Sequence, residues 1–116
     1  MSLESLRSSK DLRDNGYWRS SVSRAYYAAY AAITGSLGTQ SFPRGWNNPS
    51  HAGLPNQISN EGSLPESVRR KLKRNIRILR NMREDADYRP QRVVGKNEAI
   101  DALHNSSEIL KLLEAI

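Results

Sequence analysis

The chain has no cysteine among its 116 residues, so neither a disulfide framework nor a thiolate metal centre is available to it. Its two histidines, His51 and His104, are far apart in sequence, and a dedicated zinc site is not expected. Nowhere do enough apolar residues run together to span a bilayer, and the opening Met-Ser-Leu-Glu-Ser-Leu-Arg has no apolar signal region. A soluble, cytoplasmic protein without membrane contact is the expectation. No glycine-rich phosphate loop, His-Glu-x-x-His, EF-hand or nucleophile-elbow pattern occurs, and no cofactor is expected. Strand-like alternation and internal repeats are also missing.

What the chain does have is helical periodicity. Residues 19–37 are rich in Ala, and no Pro or Gly interrupts them before Gly35. Val22, Tyr26, Ala29, Ile33 and Leu37 recur about every four residues, which predicts one buried stripe. Because small residues, Ala25, Ala28, Ala31 and Ala32 among them, surround that stripe, several neighbours can approach closely, which predicts the central helix of a bundle. Residues 2–15 place Leu3, Leu6 and Leu12 roughly on one face, with Gly16 as the stop. A third helix is predicted from Glu66 to about Ala86, opened by Pro65 and ended by Pro90, with Val68, Leu72, Ile76, Leu79 and Met82 as its apolar stripe. A fourth is predicted over 98–116, capped by Asn97, with Ile100, Leu103, Ser107, Leu110 and Leu113 facing inward.

Between the second and third helices, Pro43, Pro49, Pro55, Gly45, Gly53 and Gly62 exclude a long helix. Phe42 and Trp46 suit a loop pinned by aromatic burial, and Ser50 could cap a short helix within 39–64. Length and apolar content fit one domain, 1–116, folded as an all-α bundle of four long helices.

The net charge is +6, and ten of the 18 Lys and Arg residues fall within 69–92. Arg69, Arg70, Lys73, Arg74, Arg77 and Arg80 occupy the polar face of the third helix, a charge footprint suited to phosphates. A solvated helix face would look the same. Arg24 has no carboxylate one helical turn away, and Tyr26, Tyr27 and Tyr30 set three phenols on one arc. Glu84, Asp85 and Asp87 sit against the dipole at the third helix's end, beside Arg83, which predicts a hydrogen-bonded cluster in which Asp87 orients an arginine. Metal-free RNA cleavage needs a proton acceptor, a proton donor and a cation. Arg83 and Arg24 are candidate cations, and His51 and Tyr88 are candidate proton carriers.

Three segments then stand together: Tyr17-Trp-Arg-Ser-Ser-Val-Ser-Arg24-Ala-Tyr26-Tyr27-Ala28, Ser50-His51, and Arg83-Glu-Asp-Ala-Asp87-Tyr88. In kind and order they resemble small prokaryotic HEPN-domain proteins. The resemblance implies a dimerising helical bundle that engages RNA or a nucleotide. Many members are ribonucleases, frequently toxins paired with a nucleotidyltransferase antitoxin, while others bind without cleaving. It also implies a catalytic arginine followed a few residues later by histidine. Arg83 matches the arginine, but Asp87 and Tyr88 stand where the histidine would be. Arg44 and His51 meet the spacing formally, in the loop. Two readings stay open. One is a metal-independent endoribonuclease using Arg83, Asp87, Tyr88 and His51, with Arg24, Tyr27 and the basic face binding RNA. The other is a non-catalytic module that dimerises or pairs with a nucleotidyltransferase.

Overall fold

The computed structural model describes residues 2–36, 58–59 and 64–113. They form four helices: α1 (Ser2–Asp14), α2 (Trp18–Ser36), α3 (Glu66–Tyr88) and α4 (Lys96–Leu112). No strand occurs among the described residues. The expected cap at Ser50, the aromatic pins Phe42 and Trp46, and any short helix in the loop before residue 58 lie outside those residues, as do Arg44 and His51.

As its small-sided sequence predicts, α2 is the central element and packs against all three others. Ser21, Val22, Ala25, Tyr26, Ala28, Ala29, Ala32 and Ile33 are buried, so its alanines admit neighbours on more than one side. The α3 stripe forms as expected, with Leu72, Ile76 and Leu79 buried and Val68 and Met82 packed against the core. A fully buried Leu or Ile of this kind contributes about 1.5–3 kcal/mol of transfer free energy.

Gly16 ends α1 at φ +79°, a conformation that a side chain would strain. Its N–H donates to the Arg13 carbonyl (3.0 Å) and the Tyr17 N–H to the Leu12 carbonyl (2.8 Å). That pair of bonds is a Schellman ending. The α1–α2 contact also contains a reciprocal serine pair. The Ser9 hydroxyl donates to the Ser21 carbonyl (2.6 Å), and the Ser21 hydroxyl donates to the Ser9 carbonyl (2.8 Å).

Four local expectations are corrected. Leu3 and Ile100 are each 41% exposed, not inward-facing. The buried face of α4 instead runs through Ala99, Ala102, Leu103, Ser106, Ile109 and Leu110, because small residues allow α4 to approach α2 closely. Asn97 does not cap α4. The helix begins two residues earlier, with Gly95 at the N-cap and the Ala99 N–H bonded to the Gly95 carbonyl (3.1 Å). Finally, α3 continues beyond Ala86, so that Tyr88 is its last helical residue.

Candidate functional site

The C-terminal half-turns of α3 carry Arg83, Asp87 and Tyr88, with spacings that put Arg83 and Asp87 on the same face. Arg83 Nε donates to Asp87 Oδ2 at 3.2 Å, and Arg83 Nη2 donates to the Tyr88 hydroxyl oxygen at 2.9 Å. Ser23 Oγ, from α2, donates to the same Asp87 oxygen at 3.2 Å. The guanidinium carbon lies 5.6, 5.4 and 5.2 Å from the ring centres of Tyr26, Tyr27 and Tyr88. Arg83 is thus held in an aromatic box with one carboxylate at its edge, an arrangement in which cation–π attraction and an ion pair act together.

Only 11% of the Arg83 side chain is exposed, against 28% for Asp87. Burial works against the Arg83 charge, but Tyr27, Tyr88 and Asp87 outweigh it and hold the pKa above the ordinary arginine value. The same packing acts on Tyr26. Loss of solvent is the main cause that pushes its phenol far above the ordinary 10.0, with Arg83 opposing. Desolvation raises Tyr30 as well.

A pH dependence follows. The unfolded chain releases the Tyr26 proton near pH 10.0 while the folded chain still keeps it. The contribution of Tyr26 is therefore complete below that pH and is lost as pH rises above it. Urea midpoints measured through the alkaline range should fall less steeply in Tyr26→Phe than in wild type, since lysine titration is common to both. Parallel curves would contradict the assignment.

Around this box the surface is concave. A depression of about 410 Å³ is bordered by Leu12, Ser20, Ser23, Arg24, Tyr27 and Asp87. Arg24 is exposed and, among the described residues, makes no hydrogen bond or ion pair. Arg24, Tyr27 and Asp87 thus border one depression, and Arg83 and Tyr88 adjoin it through the contacts of Arg83 with Asp87, Tyr27 and Tyr88. His51 lies outside the described residues.

The basic face of α3 is divided. Arg69 donates to the Ser59 carbonyl (3.0 Å), Arg70 pairs with Glu66 (3.1 Å) and Arg80 pairs with Glu84 (3.3 Å). Lys73, Arg74 and Arg77 have no ion pair among the described residues, and Lys71 is a further exposed cation on this helix. Arg69, Arg70 and Lys73 line a separate hollow of about 280 Å³. It is roughly 21 Å from Arg83 along the helix, at about 1.5 Å per residue. The carboxylates at the other end are all engaged. Glu84 and Asp85 meet Arg89 at 3.4 and 2.9 Å, and Asp87 meets Arg83.

One residue went unread in the sequence. Arg19, in the first turn of α2, wraps the end of α3. Its Nη1 donates to the carbonyls of Asp85 (2.9 Å), Ala86 (3.1 Å) and Arg89 (3.3 Å). Its Nη2 donates to the carbonyls of Pro90 (3.2 Å) and Arg92. The acceptors that α3 leaves open at its C-terminus are thereby satisfied by a side chain from another helix. An arginine with no nearby carboxylate was the only available sequence signal.

An all-α bundle whose central helix supplies an Arg-x-Tyr-Tyr segment to an Arg-x-x-x-Asp-Tyr helix end defines a recognisable class. The HEPN domain family model matches residues 1–116, the whole chain, and the protein belongs to that family. No match is found among curated proteins or among solved structures. No helix among the described residues is long and apolar enough to cross a membrane. Nor do the described residues contain a group of three or more His, Asp or Glu placed to hold a metal ion.

Proposed function

We propose that this HEPN protein engages RNA at the cleft bordered by Arg24, Tyr27 and Asp87, together with the adjoining Arg83 and Tyr88. The observation that carries the reading is the exposed guanidinium of Arg24, without an ion pair among the described residues, on the same depression as the Asp87 that holds the Arg83 guanidinium. Preorganised cations of this kind suit a phosphate, and the neighbouring phenols suit an unstacked base. Lys73, Arg74 and Arg77 add salt-sensitive, sequence-independent affinity along α3, with Arg69, Arg70 and Arg80 more weakly available because each already has a partner.

Metal-independent cleavage is the chemistry these groups would perform. Arg83 would stabilise the charged transition state with Asp87 orienting it. The Tyr88 oxygen accepts from Arg83, so its own O–H remains to donate to a leaving oxygen, while His51 would be the partner base. In such a role the protein would be a cytoplasmic, dimeric toxin restrained by a nucleotidyltransferase. A second reading has its own support in the low exposure of Arg83. A guanidinium so thoroughly engaged also suits a structural network in a non-catalytic module, whose partner is a nucleotidyltransferase or a second copy.

The test is retardation and cleavage of a 5′-labelled tRNA pool without divalent metal. Wild type is expected to retard the RNA at low salt. Arg74→Ala and Arg77→Ala should each reduce the log–log salt slope by about one. Arg24→Ala should weaken binding without unfolding the chain. Discrete fragments lost in Arg24→Ala would establish cleavage, and retardation without fragments would establish binding alone. No retardation at any salt concentration would remove RNA from consideration and favour the protein-partner module.

A further inference from the structure

A second depression adjoins the cleft and has different chemistry. It measures about 600 Å³ and is bordered by Ser5 of α1 and by Arg24, Tyr27, Tyr30, Ala31 and Thr34 of α2. Arg24 and Tyr27 also border the first depression, so the two are continuous across these residues. The first is edged by Ser20, Ser23 and Asp87. The second is walled by two phenol rings, the Ala31 methyl and Thr34. The Thr34 hydroxyl is turned back onto the carbonyls of Tyr30 (2.9 Å) and Ala31 (3.3 Å), so it is already engaged within α2.

The positions of Arg24, Tyr27, Ala31 and Thr34 recur at three- and four-residue intervals, which places them on one face of α2. That face is separate from the buried stripe of Val22, Ala29 and Ile33. It runs about 15 Å along the helix, at about 1.5 Å per residue. One end carries the exposed Arg24 cation, and the other carries half-buried aromatic and small apolar side chains. A volume in the range of small-molecule sites, with one charged group at its border, selects a guest that is anionic at one end and flat and apolar at the other.

We infer that this depression is a base subsite, which takes one unpaired nucleobase of an RNA strand whose phosphate lies on Arg24. The inference rests on the RNA-engaging reading of the cleft and names the part of the substrate that the second depression holds. Its exposed lining is more apolar than polar, with the Tyr27 and Tyr30 rings and the Ala31 methyl beside the polar groups of Ser5 and Arg24, so the base is held mainly by stacking and shelter. Selection is then for single-stranded over paired RNA, with purines favoured by their larger face.

The experiment measures anisotropy of a labelled short single-stranded RNA and of the same ribose–phosphate strand lacking all bases, each titrated with the full chain. Wild type is expected to bind the intact strand about tenfold or more tightly, the range that base–aromatic stacking supplies. Ala31→Leu, which occupies the depression from α2 without adding an aromatic face, should erase that difference while leaving affinity for the abasic strand and its salt dependence unchanged. Ser5→Leu occupies it from α1 and should do the same, which guards against one variant failing to fold. Equal binding of both strands by wild type would overturn the base subsite and leave the RNA reading standing. So would fillers that fold yet preserve the difference. Binding of neither strand would overturn both. A filler that changes the mass of the protein in solution but not the base dependence would identify this face as a contact between copies, and the subsite would fall.

Discussion

Arg19→Ala is expected to cost about 2–4 kcal/mol of stability, more than any other surface-facing substitution in the bundle. The helix α3 ends with open carbonyls, and the guanidinium of Arg19 collects those of Asp85, Ala86, Arg89, Pro90 and Arg92. Hydrogen bonds from a charged donor are each worth about 1.5–3 kcal/mol. Five such bonds do not add, because the outer three acceptors lie in an exposed turn and would regain water. The loss therefore falls mainly on the Asp85 and Ala86 carbonyls, which are part-buried. Charge matters too. Glu84, Asp85 and Asp87 crowd the negative end of the α3 dipole, and Arg19 and Arg89 supply the compensating cations. Urea denaturation should show the drop, and amide exchange should accelerate across residues 86–92. Arg19→Lys should recover less than half, since an ammonium cannot span two groups of carbonyls as a planar fork does. A midpoint unchanged from wild type would show that water replaces the guanidinium at no cost.

That arginine also marks the limit of what the sequence makes legible. The bundle is readable because α2 and α3 bury stripes of large or repeated apolar residues at helical spacing. The Arg83–Asp87 pair is readable because its partners are one turn apart on one helix, where residue type and spacing together define the contact. Arg19 has neither advantage. Its acceptors are backbone carbonyls, which leave no trace in residue identity, and they lie more than sixty residues away. The same reasoning accounts for Ile100 and Leu3. Periodicity weighs large side chains most heavily, whereas the α2–α4 and α1–α2 contacts are made by Ala99, Ala102, Ser106 and Ser9, whose small size sets how closely the helices approach. Asn97 is the ordinary choice for a cap, yet Gly95 takes the position because the chain is already extended there (φ −112°, ψ −162°). The Arg83–Asp87 contact was therefore legible in its members, and the clamp that holds the end of α3 in place was not.

Arg83→Ala carries the second large effect, and its expected pattern separates packing from function. The substitution removes an ion pair to Asp87, a hydrogen bond to Tyr88 and three ring contacts. Breaking a fully buried pair costs about 3–5 kcal/mol because the surviving charge is stranded. Here Asp87 is partly exposed and keeps the Ser23 hydroxyl, so water can reach it and the cost should be lower, about 2–3 kcal/mol. For a chain of this length, that corresponds to roughly 10 °C in thermal midpoint. Removing Asp87 as well should return part of the loss, so a double-mutant cycle should give a favourable coupling of about 1 kcal/mol. Arg83→Lys keeps a cation inside the ring box but cannot reach Asp87 and Tyr88 together. It should recover the stability supplied by cation–π attraction while leaving RNA retardation impaired. If Arg83→Lys instead binds RNA as wild type does, the fork geometry of Arg83 serves the fold alone, and the phosphate contact belongs to Arg24. If Arg83→Ala melts within a degree of wild type, the aromatic box is not a stabilising element, and the low exposure of Arg83 reflects only its position beneath Tyr27 and Tyr88.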